Sequence, residues 1–417
     1  MAKMNFTLLW ALALICLSRN ADGKAKSRET LSDVDRKLKL LNKPAVKSIL
    51  SDDGDIIDCV DIHKQPAFDH PALRNHVIQM KPSFDARIEN LGNRSQIFQT
   101  WQRSGTCPEG TIPIRRIRKQ DLLRSAASLE NFGRKLSHST SNNRDKNGSH
   151  FIRINNTEVV VSPIVRSTAY LVTVGYNYIG ARGDINVWNP RVDLPEDFTS
   201  GQIWVRGGPG DNFESIESGW VVNPKLYGDT RTRFFAYWTK DAYNQTGCFD
   251  LTCSGFIQTS SRVALGAAIE PCSSRSGPQY YIPIGIFMDT NTSNWWLRYS
   301  GTEVGYWPAG TLLFYLNYSS TMVQWGGDVY SENVRKNPHT KTAMGSGEFA
   351  SATGLGNACF IQHVRIMDFS RTIKYPEWVS TWADEPYCYS SLNWAPYGVE
   401  PVFYFGGPGG GYDYMCP

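Results

Sequence analysis

The chain has 417 residues, enough for two domains of ordinary size, and 41% hydrophobic and 20% charged residues are typical of a folded protein. Its formal net charge of +4 is too small to indicate binding to nucleic acid or to an anionic membrane. The sequence contains no phosphate-binding loop and no dinucleotide fingerprint. We therefore expect neither nucleic acid nor a membrane as a partner.

Residues 1–23 have the features of a secretory signal peptide. Lys3 supplies the positive charge, Phe6 to Leu17 form an apolar core, and Ala21-Asp22-Gly23 is a small-residue cleavage site. The apolar run is too short to span a bilayer. The sequence therefore predicts a soluble, secreted, extracellular product.

The residues that follow alternate between compact and polar stretches. Residues 24 to about 45 are lysine-rich and predict a mobile leader or an exposed helix, and a compact segment extends from Asp52 to about Gln120. Lys119 to Leu136 has the pattern of a short basic helix, and residues 137–150 have the composition of a linker. We therefore divide the chain into a signal peptide (1–23), an N-terminal segment (24–150) and a β domain (151–417).

The β domain consists of short apolar and aromatic runs separated by Gly, Asn, Pro and Asp turns. This spacing, without a long helical period, predicts an all-β fold, an antiparallel β-sandwich preceded by the small N-terminal segment. The runs are Tyr170–Tyr178, Ile185–Trp188, Gln202–Val205, Arg233–Thr239, Phe256–Gln258, Trp295–Tyr299, Leu312–Tyr318 and Val402–Phe405. Trp295 and Trp296 are adjacent and should point to opposite faces of a strand, so we expect one of them to be exposed.

Eight cysteines remain once the signal peptide, with Cys16, is removed, and an even number suits disulfides in an oxidising compartment. Cys59 and Cys107 are the only two in the compact segment and should pair. Cys248 and Cys253 close a small loop, for which a structural disulfide is the favoured interpretation. Six Asn-x-Ser/Thr sequons predict a glycosylated surface: Asn93, Asn147, Asn155, Asn244, Asn291 and Asn317.

Two acidic clusters carry the chemistry of the β domain. Glu217 lies in Ile-Glu-Ser-Gly-Trp, and Asp328 lies in Trp-Gly-Gly-Asp-Val-Tyr. A carboxylate shielded by Gly and Trp should have a raised pKa. Two such groups brought together cannot easily both ionise, so one can act as an acid while the other acts as a base. This chemistry suits hydrolysis of a peptide or glycoside bond at acidic pH.

Other chemistries have weaker support in the sequence. The β domain lacks a Gly-x-Ser-x-Gly elbow, and the chain has no His-Glu-x-x-His or close Cys/His set, so we predict neither a metal nor a cofactor. His339 is expected to be a hydrogen-bonded turn residue. The aromatic content suggests an open groove, although most of these side chains should form the core. The candidate groove residues are Trp204, Trp220, Tyr237, Trp238 and Trp325.

Over nearly its whole length the chain resembles neprosin-type proteins, secreted plant glutamic peptidases that cleave at proline and carry an N-terminal activation peptide. Motifs similar to the activation peptide are Asp58–Ile62, Lys64–Pro71 and Cys107–Arg116. Motifs similar to the catalytic domain are Ile185–Trp188, Gln202–Trp204, Glu217–Val222, Arg233–Thr239, Gly247–Cys253, Asn294–Leu297, Gly305–Pro308, Met344–Gly347 and Tyr404–Gly409.

The resemblance implies that Glu217 is one of two catalytic carboxylates and that Asp328 occupies the position of the second glutamate, with a side chain one methylene shorter. It also implies latency imposed by the N-terminal segment, proline-containing substrates and a Cys388–Cys416 disulfide. Cys272 and Cys359 would pair if the fold brings them together. We further expect processing between about Arg115 and His150, and a pH-sensitive surface formed by Asp52, Asp53, Asp55, Asp58 and Asp61.

Two other functions fit the same features. A catalytically impaired descendant would use the groove to bind proline-rich or cell-wall protein without cleaving it. A glycoside hydrolase would use the same paired carboxylates on a sugar, although only the generic pairing favours it. Turnover of a proline-containing peptide separates the first two, and release of reducing sugar would indicate the third.

Overall fold

A computed structural model of the chain describes residues 32–83, 97–124, 129–135, 150–154, 157–161, 165–351, 354, 356–411 and 415–416. The predicted signal peptide, most of the predicted linker and the sequons at Asn93, Asn147 and Asn155 lie outside these residues. Within the described residues, no helix is long and apolar enough to cross a membrane.

The described residues form mainly antiparallel strands, which confirms the all-β prediction. Short helices are α1 (32–41), α2 (Lys119–Arg124), α3 (Pro224–Tyr227) and α4 (Ala309–Leu312). The strands are β1 (Ala45–Leu50), β2 (Ile56–Asp61), β3 (Phe98–Gln99), β4 (Thr111–Arg115), β5 (His150–Ile154), β6 (Thr157–Val161), β7 (Arg166–Asn186), β8 (Phe198–Gly207), β9 (Glu214–Val222), β10 (Arg233–Thr239), β11 (Cys248–Phe249), β12 (Ile257–Gln258), β13 (Ile269–Glu270), β14 (Tyr281–Asp289), β15 (Asn294–Tyr299), β16 (Thr302–Pro308), β17 (Ser320–Tyr330), β18 (Cys359–Asp368), β19 (Ile373–Lys374), β20 (Ser380–Ala383), β21 (Ser390–Trp394) and β22 (Val402–Gly406).

The long strand β7 belongs to both layers of the β domain. Its first half pairs with β17 and β20, and through β17 the sheet continues to β8, β9, β10 and β11. Its second half pairs with β14 and β18, which lead to β15, β16 and β22. Because one strand is shared, the two layers form a single curled antiparallel sheet that encloses the core.

Tryptophans of the first layer close the core against the second half of β7. The indole of Trp325 donates a hydrogen bond to the carbonyl of Arg182 at 2.9 Å, and that of Trp220 donates to the carbonyl of Asn186 at 2.9 Å. Both side chains are fully buried. Each large ring therefore satisfies its polar atom while burying its apolar surface.

The N-terminal segment has a sheet of its own, the three-stranded sheet β1–β2–β4. The Cys59–Cys107 disulfide, with its Cα atoms 5.4 Å apart, ties β2 to the loop before β4. The segment then packs on the β domain, where Ala67 shares an apolar cluster with Trp296 and Tyr306. Trp295 packs in the core of the β domain, and Trp296 is buried beneath the N-terminal segment. The prediction that one of the two would be exposed is therefore wrong.

Two predicted elements differ in the structure. Of the helix expected over Lys119–Leu136, the described residues show a helix at Lys119–Arg124 and a 3₁₀ turn at Leu129–Asn131. The strand expected over Leu312–Tyr318 is a helical turn and loop, because the buried carboxylate of Glu214 accepts backbone N–H bonds from residues 314, 315 and 316 at 2.7–2.9 Å. Three donors directed at one carboxylate curl the chain and prevent an extended strand.

The three disulfides that follow from segment and family pattern are present: Cys59–Cys107, Cys248–Cys253 and Cys388–Cys416. The pairing of Cys272 with Cys359, expected only if the fold brought them together, does not occur, and both cysteines are free. The thiol of the buried Cys359 instead points to the carbonyl of Asn186, at 3.5 Å. Of the sequons within the described residues, Asn244 and Asn291 are exposed and Asn317 is half-buried; glycosylation itself stays a prediction.

A buried ion pair joins the N-terminal segment to the β domain. Asp55 accepts a hydrogen bond from Arg233 at 2.5 Å, and the fully buried Arg233 also binds Asp229 at 2.6 Å. Among the five acids expected to form a pH-sensitive surface, Asp55 makes this contact across the interface. The other four have hydrogen bonds inside the segment: Asp52, Asp53, Asp58 and Asp61.

Replacing Asp55 with alanine should destabilise the folded chain. Arg233 would remain buried with one carboxylate instead of two, and breaking a buried pair from one side costs about 3 kcal/mol or more. We expect a fall of about 2–3 kcal/mol in the free energy of unfolding, measured by denaturant titration. Asp52→Ala is the matched control, since exposed Asp52 accepts a hydrogen bond from Ser104 within the N-terminal segment. Equal losses in the two variants would contradict the importance of this pair.

Candidate active site

Glu217 and Asp328 lie on one face of the first layer. Glu217 is in β9 and Asp328 in β17, with β8 between them. The register places Trp204 of β8 beside Glu217, and Ser200 of β8 beside Asp328. Side chains of paired residues share a face, so the two acids converge over β8. Both carboxyl groups are fully buried.

Glycines in the two acidic clusters leave space between the acids, because they carry no side chain on the sheet face that the acids share. Gly219 and Gly326 both pair with Gln202 of β8, so a single side chain occupies that row. A Cβ atom at Gly219 would lie 2.1 Å from the carbonyl oxygen of Gly201, and one at Gly326 would lie 2.1 Å from that of Ala169. The glycine two residues from each acid is therefore a steric requirement of the site.

A lysine from the N-terminal segment occupies the cleared space. The Nζ atom of Lys135 lies 2.7 Å from Oε2 of Glu217 and 3.7 Å from Oδ2 of Asp328. It also donates to Oε1 of Gln202 at 3.1 Å. One nitrogen thus bridges the two carboxylates, which are separated by no more than the sum of those two distances. Lys135 is fully buried.

Aromatic rings and backbone contacts fix Lys135 in place. Its N–H donates to the hydroxyl of Tyr237 at 3.0 Å, and two residues earlier the carbonyl of Gly133 accepts from the N–H of Phe249 at 2.6 Å. Four rings surround the ammonium group with centroids 5.1–5.9 Å from Nζ: Phe198, Phe235, Tyr237 and Phe249. Ring faces attract a cation, so the four rings offset part of the cost of burying this charge.

Uncharged donors hold Glu217 from within the β domain. The hydroxyl of Tyr243 donates to Oε1 at 2.5 Å, and the amide of Gln202 donates to Oε2 at 2.6 Å. Tyr243 has a φ of 66°, in the left-handed region that costs a bulky residue energy. The carboxylate of Asp241 stabilises this loop by accepting from the N–H groups of Gln245 and Thr246 at 2.9 and 3.2 Å.

Asp328 is held by a cation of the β domain itself. Arg166, the first residue of β7, donates from Nε to Oδ1 at 3.1 Å and from Nη2 to Oδ2. The guanidinium lies 4.4 Å from the centroid of the Tyr243 ring. Tyr243 therefore touches both halves of the site, through its hydroxyl to Glu217 and through its ring to Arg166.

The charges of the site set the protonation of its groups. Burial acts to raise the pKa of Glu217, but Lys135 and Arg166 outweigh it, so that this pKa is lowered. The raised pKa expected for Glu217 from the sequence is therefore wrong for this structure, because the sequence did not indicate the two cations. Burial lowers the pKa of Lys135, and its two carboxylate neighbours partly counter that effect. Burial raises the pKa of Tyr243 well above its ordinary value, which keeps its hydroxyl a donor.

The candidate groove residues divide between the two faces of the layer. Trp204 and Tyr237 pair with Glu217 from either side and share its face. Trp220 and Trp325 lie three residues from the acids, an odd separation, so their side chains point to the opposite face of the layer and into the core. Trp238 also packs in the core, beside Gly255. These three tryptophans therefore do not line the site.

Four side chains of the site were not among the predicted site residues. Gln202 belongs to a motif that the family shares, and pairing with Gly219 could have placed it on the floor. Tyr243, Lys135 and Arg166 lie in polar loops or at a strand end, where no sequence pattern marks them. His339, considered and set aside as a base, contacts the carbonyl of Thr340 at 2.8 Å and Glu385 at 3.2 Å.

Comparisons with solved structures find β proteins of low similarity. The chain is similar to scytalido-glutamic peptidase with a peptide-based transition state analog, with 9% identity over 58% of this chain and 97% of that chain, at a TM-score of 0.30. It is also similar to CG-16, a homodimeric agglutinin from chicken liver, with 8% identity over 39% of this chain and 91% of that one, at a TM-score of 0.21. We base no conclusion on likenesses at this level.

Comparison with protein families gives a direct result. The family model described as Neprosin matches residues 195–408, which include both Glu217 and Asp328. A second model, described as Neprosin activation peptide, matches residues 48–158, which include Lys135 and the Cys59–Cys107 disulfide. The activation-peptide match lies in the N-terminal part of the chain and the Neprosin match in the β domain. The chain belongs to the neprosin family.

Proposed function

We propose that the chain is the latent precursor of a secreted glutamic-type endopeptidase that cleaves proline-containing peptides at acidic pH. Glu217 and Asp328 activate a water molecule between them, and the N-terminal segment is the intramolecular inhibitor. The observation that carries the proposal is the bridge formed by one nitrogen, the Nζ of Lys135, between the two buried carboxylates.

The ammonium group of Lys135 stands where the attacking water would lie. A water that contacts both carboxylates can give a proton to one while the other donates a proton to the leaving nitrogen. A nitrogen 2.7 Å from one carboxylate oxygen and 3.7 Å from the other occupies such a position. The same contact that excludes the water makes the precursor inactive.

Release of Lys135 would open an apolar pocket beside the acids. Its walls are the rings of Phe198, Phe235, Tyr237 and Phe249, all buried in the closed precursor. A compact apolar ring fits such a pocket without leaving a polar atom unpaired, since proline has no backbone N–H to satisfy. This pocket supports a proline-containing peptide as the substrate.

A cleavage assay of the mature β domain tests the proposal. After proteolytic removal of the N-terminal segment, a fluorogenic proline-containing peptide should be cleaved at acidic pH. Glu217→Gln keeps the size of the side chain and removes its ability to exchange a proton, so we expect turnover to fall at least a thousandfold. Glu196→Gln, at an exposed position, is the matched control and should leave turnover unchanged.

The outcomes separate the rival functions. Peptide binding without turnover, in both the wild type and Glu217→Gln, would favour a non-catalytic member of the family that binds proline-rich protein. Release of reducing sugar from a cell-wall polysaccharide, lost in Glu217→Gln, would favour a glycoside hydrolase. Cleavage that survives Glu217→Gln would disprove the assigned site.

Replacing Lys135 with methionine should weaken latency. The apolar stem would still fit among the rings, but the two carboxylates would lose their bridging cation. We expect at least a tenfold rise in peptide cleavage by the uncleaved precursor, a change of about 1.4 kcal/mol. Lys119→Met is the control, because Lys119 pairs with Asp35 at the surface. Unchanged activity in Lys135→Met, with an active mature domain, would exclude Lys135 as the inhibitory residue.

Acidification should release the nicked segment only at low pH. The pKa of Glu217 is lowered in the closed precursor, so its bond to Lys135 is fully present above the ordinary value of about 4.3. That stabilisation is lost as the pH falls below this value through the lowered pKa. The pKa of Lys135 is also lowered in the closed state, so closure weakens as the pH falls from the ordinary lysine value towards the lowered one.

The measurement is the dissociation constant between the cleaved segment and the β domain, determined by titration calorimetry from pH 3 to pH 7. We expect the constant to rise steeply below about pH 4 in the wild type. In Glu217→Gln this rise should be smaller, since the bond between Glu217 and Lys135 no longer titrates while the contacts of Asp328 and Asp55 remain. A wild-type curve that is flat down to pH 3 would contradict this mechanism of release.

A further inference from the structure

The two acids of the site are held by different kinds of partner. Both oxygens of Asp328 accept hydrogen bonds from the guanidinium of Arg166: Oδ1 accepts from Nε, and Oδ2 accepts from Nη2. A proton on either oxygen would remove the negative charge that these two charged donors stabilise. The fork-to-fork contact therefore favours Asp328 as a carboxylate, with its oxygens fixed in one orientation.

Arg166 is part of the β domain and remains after the N-terminal segment leaves. It begins β7, which pairs with β17 from Tyr330 back to Ser320. Its guanidinium is packed against the Tyr243 ring at 4.4 Å, and only 14% of its side chain is exposed. Its position therefore does not depend on Lys135.

Glu217 loses its contacting cation when the segment leaves. Within the described residues, its hydrogen-bond partners are Lys135, Gln202 and Tyr243, and the last two are uncharged donors of the β domain. Arg166 also faces Glu217 without a hydrogen bond, and Tyr237 lies beside it in the register. Burial without a contacting cation favours the protonated carboxyl.

We propose that Arg166 is a positioning residue that fixes the roles of the two acids: it holds Asp328 as the ionised base and leaves Glu217 as the proton donor. The inference rests on the proposed peptidase function, and it extends that function by assigning the direction of proton transfer. Arg166 acts through Asp328 and does not contact the reacting atoms.

The assignment gives a balanced hydrolysis. Asp328 takes a proton from the water molecule as the water oxygen forms a bond to the carbonyl carbon, and the carbonyl electron pair moves onto its oxygen. Glu217 then gives its proton to the peptide nitrogen as the C–N bond breaks, and the carbonyl re-forms as a carboxylic acid. Asp328 ends protonated and Glu217 ionised, and exchange with solvent water restores both.

The pH profile of the mature enzyme tests this assignment. In kcat/KM, the acid limb should report ionisation of Asp328 and the alkaline limb loss of the proton from Glu217. Arg166→Gln should move the acid limb upward by about one pH unit or more and leave the alkaline limb in place. Arg166→Lys keeps the charge without the fork and should move the acid limb less.

A structural role for Arg166 would give a different result. Loss of activity with both limbs unmoved in Arg166→Gln and Arg166→Lys would overturn the proposal, as would a shift confined to the alkaline limb. Arg191→Gln, at an exposed arginine paired with Asp193, is the control for removing a positive charge from the β domain.

A second measurement does not require turnover. Carbon-13 NMR of the side-chain carboxyl groups in the wild-type mature domain, assigned with Asp328→Asn and Glu217→Gln, gives the order in which the two acids titrate. Asp328 should lose its proton at the lower pH, and the reverse order would overturn the proposal even if folding fails in the Arg166 variants. Absence of peptide cleavage together with the expected order would reject the proposed peptidase function alone.

Discussion

The buried charge cluster of Lys135, Glu217, Asp328 and Arg166 is the constraint on which the rest of the site depends. Taking a carboxylate out of water costs several kcal/mol unless a cation and further donors compensate it. Two acids and two cations balance in this cluster, but the cations come from different parts of the chain. The β domain supplies one cation, so separation from the N-terminal segment leaves one excess negative charge. A bound proton or a polar substrate must then take the place of the ammonium group.

Strand geometry explains why the acids lie in the site while the neighbouring tryptophans lie in the core. Side chains alternate between faces, so the acids project into the site while Trp220 and Trp325, each three residues away, project into the core. Each acidic cluster thus places a carboxyl group on the site face of its strand and a tryptophan on the core face. A shift of β17 by a single residue would bury Asp328 among the apolar side chains and expose the indole. The hydrogen bonds from the two indoles to β7 oppose such a shift.

The sequence predicted the features that follow from local pattern: the all-β class, most strands and three disulfides. It predicted Glu217 and Asp328 through the family resemblance, and the structure brings them together. The predicted groove mixed the two faces of the layer because Trp238 and the tryptophans of the acidic clusters were chosen by residue type and not by alternation. Lys135 and Arg166 could not be predicted, since each reaches the site through tertiary packing and a lysine in a polar stretch has no distinguishing pattern. The same omission gave the wrong direction for the pKa of Glu217.

The distribution of the disulfides determines what a single cut in the chain can do. Each of the three disulfides joins cysteines of the same segment, so within the described residues no covalent bond other than the backbone connects the N-terminal segment to the β domain. While the backbone is intact, Lys135 is presented to the acids at an effective concentration on the order of millimolar or more. After a cut between them, the same contacts must compete with dilution. Under the proposed latency, inhibition then becomes a bimolecular equilibrium, and the concentration of the released segment would set how completely it continues to inhibit.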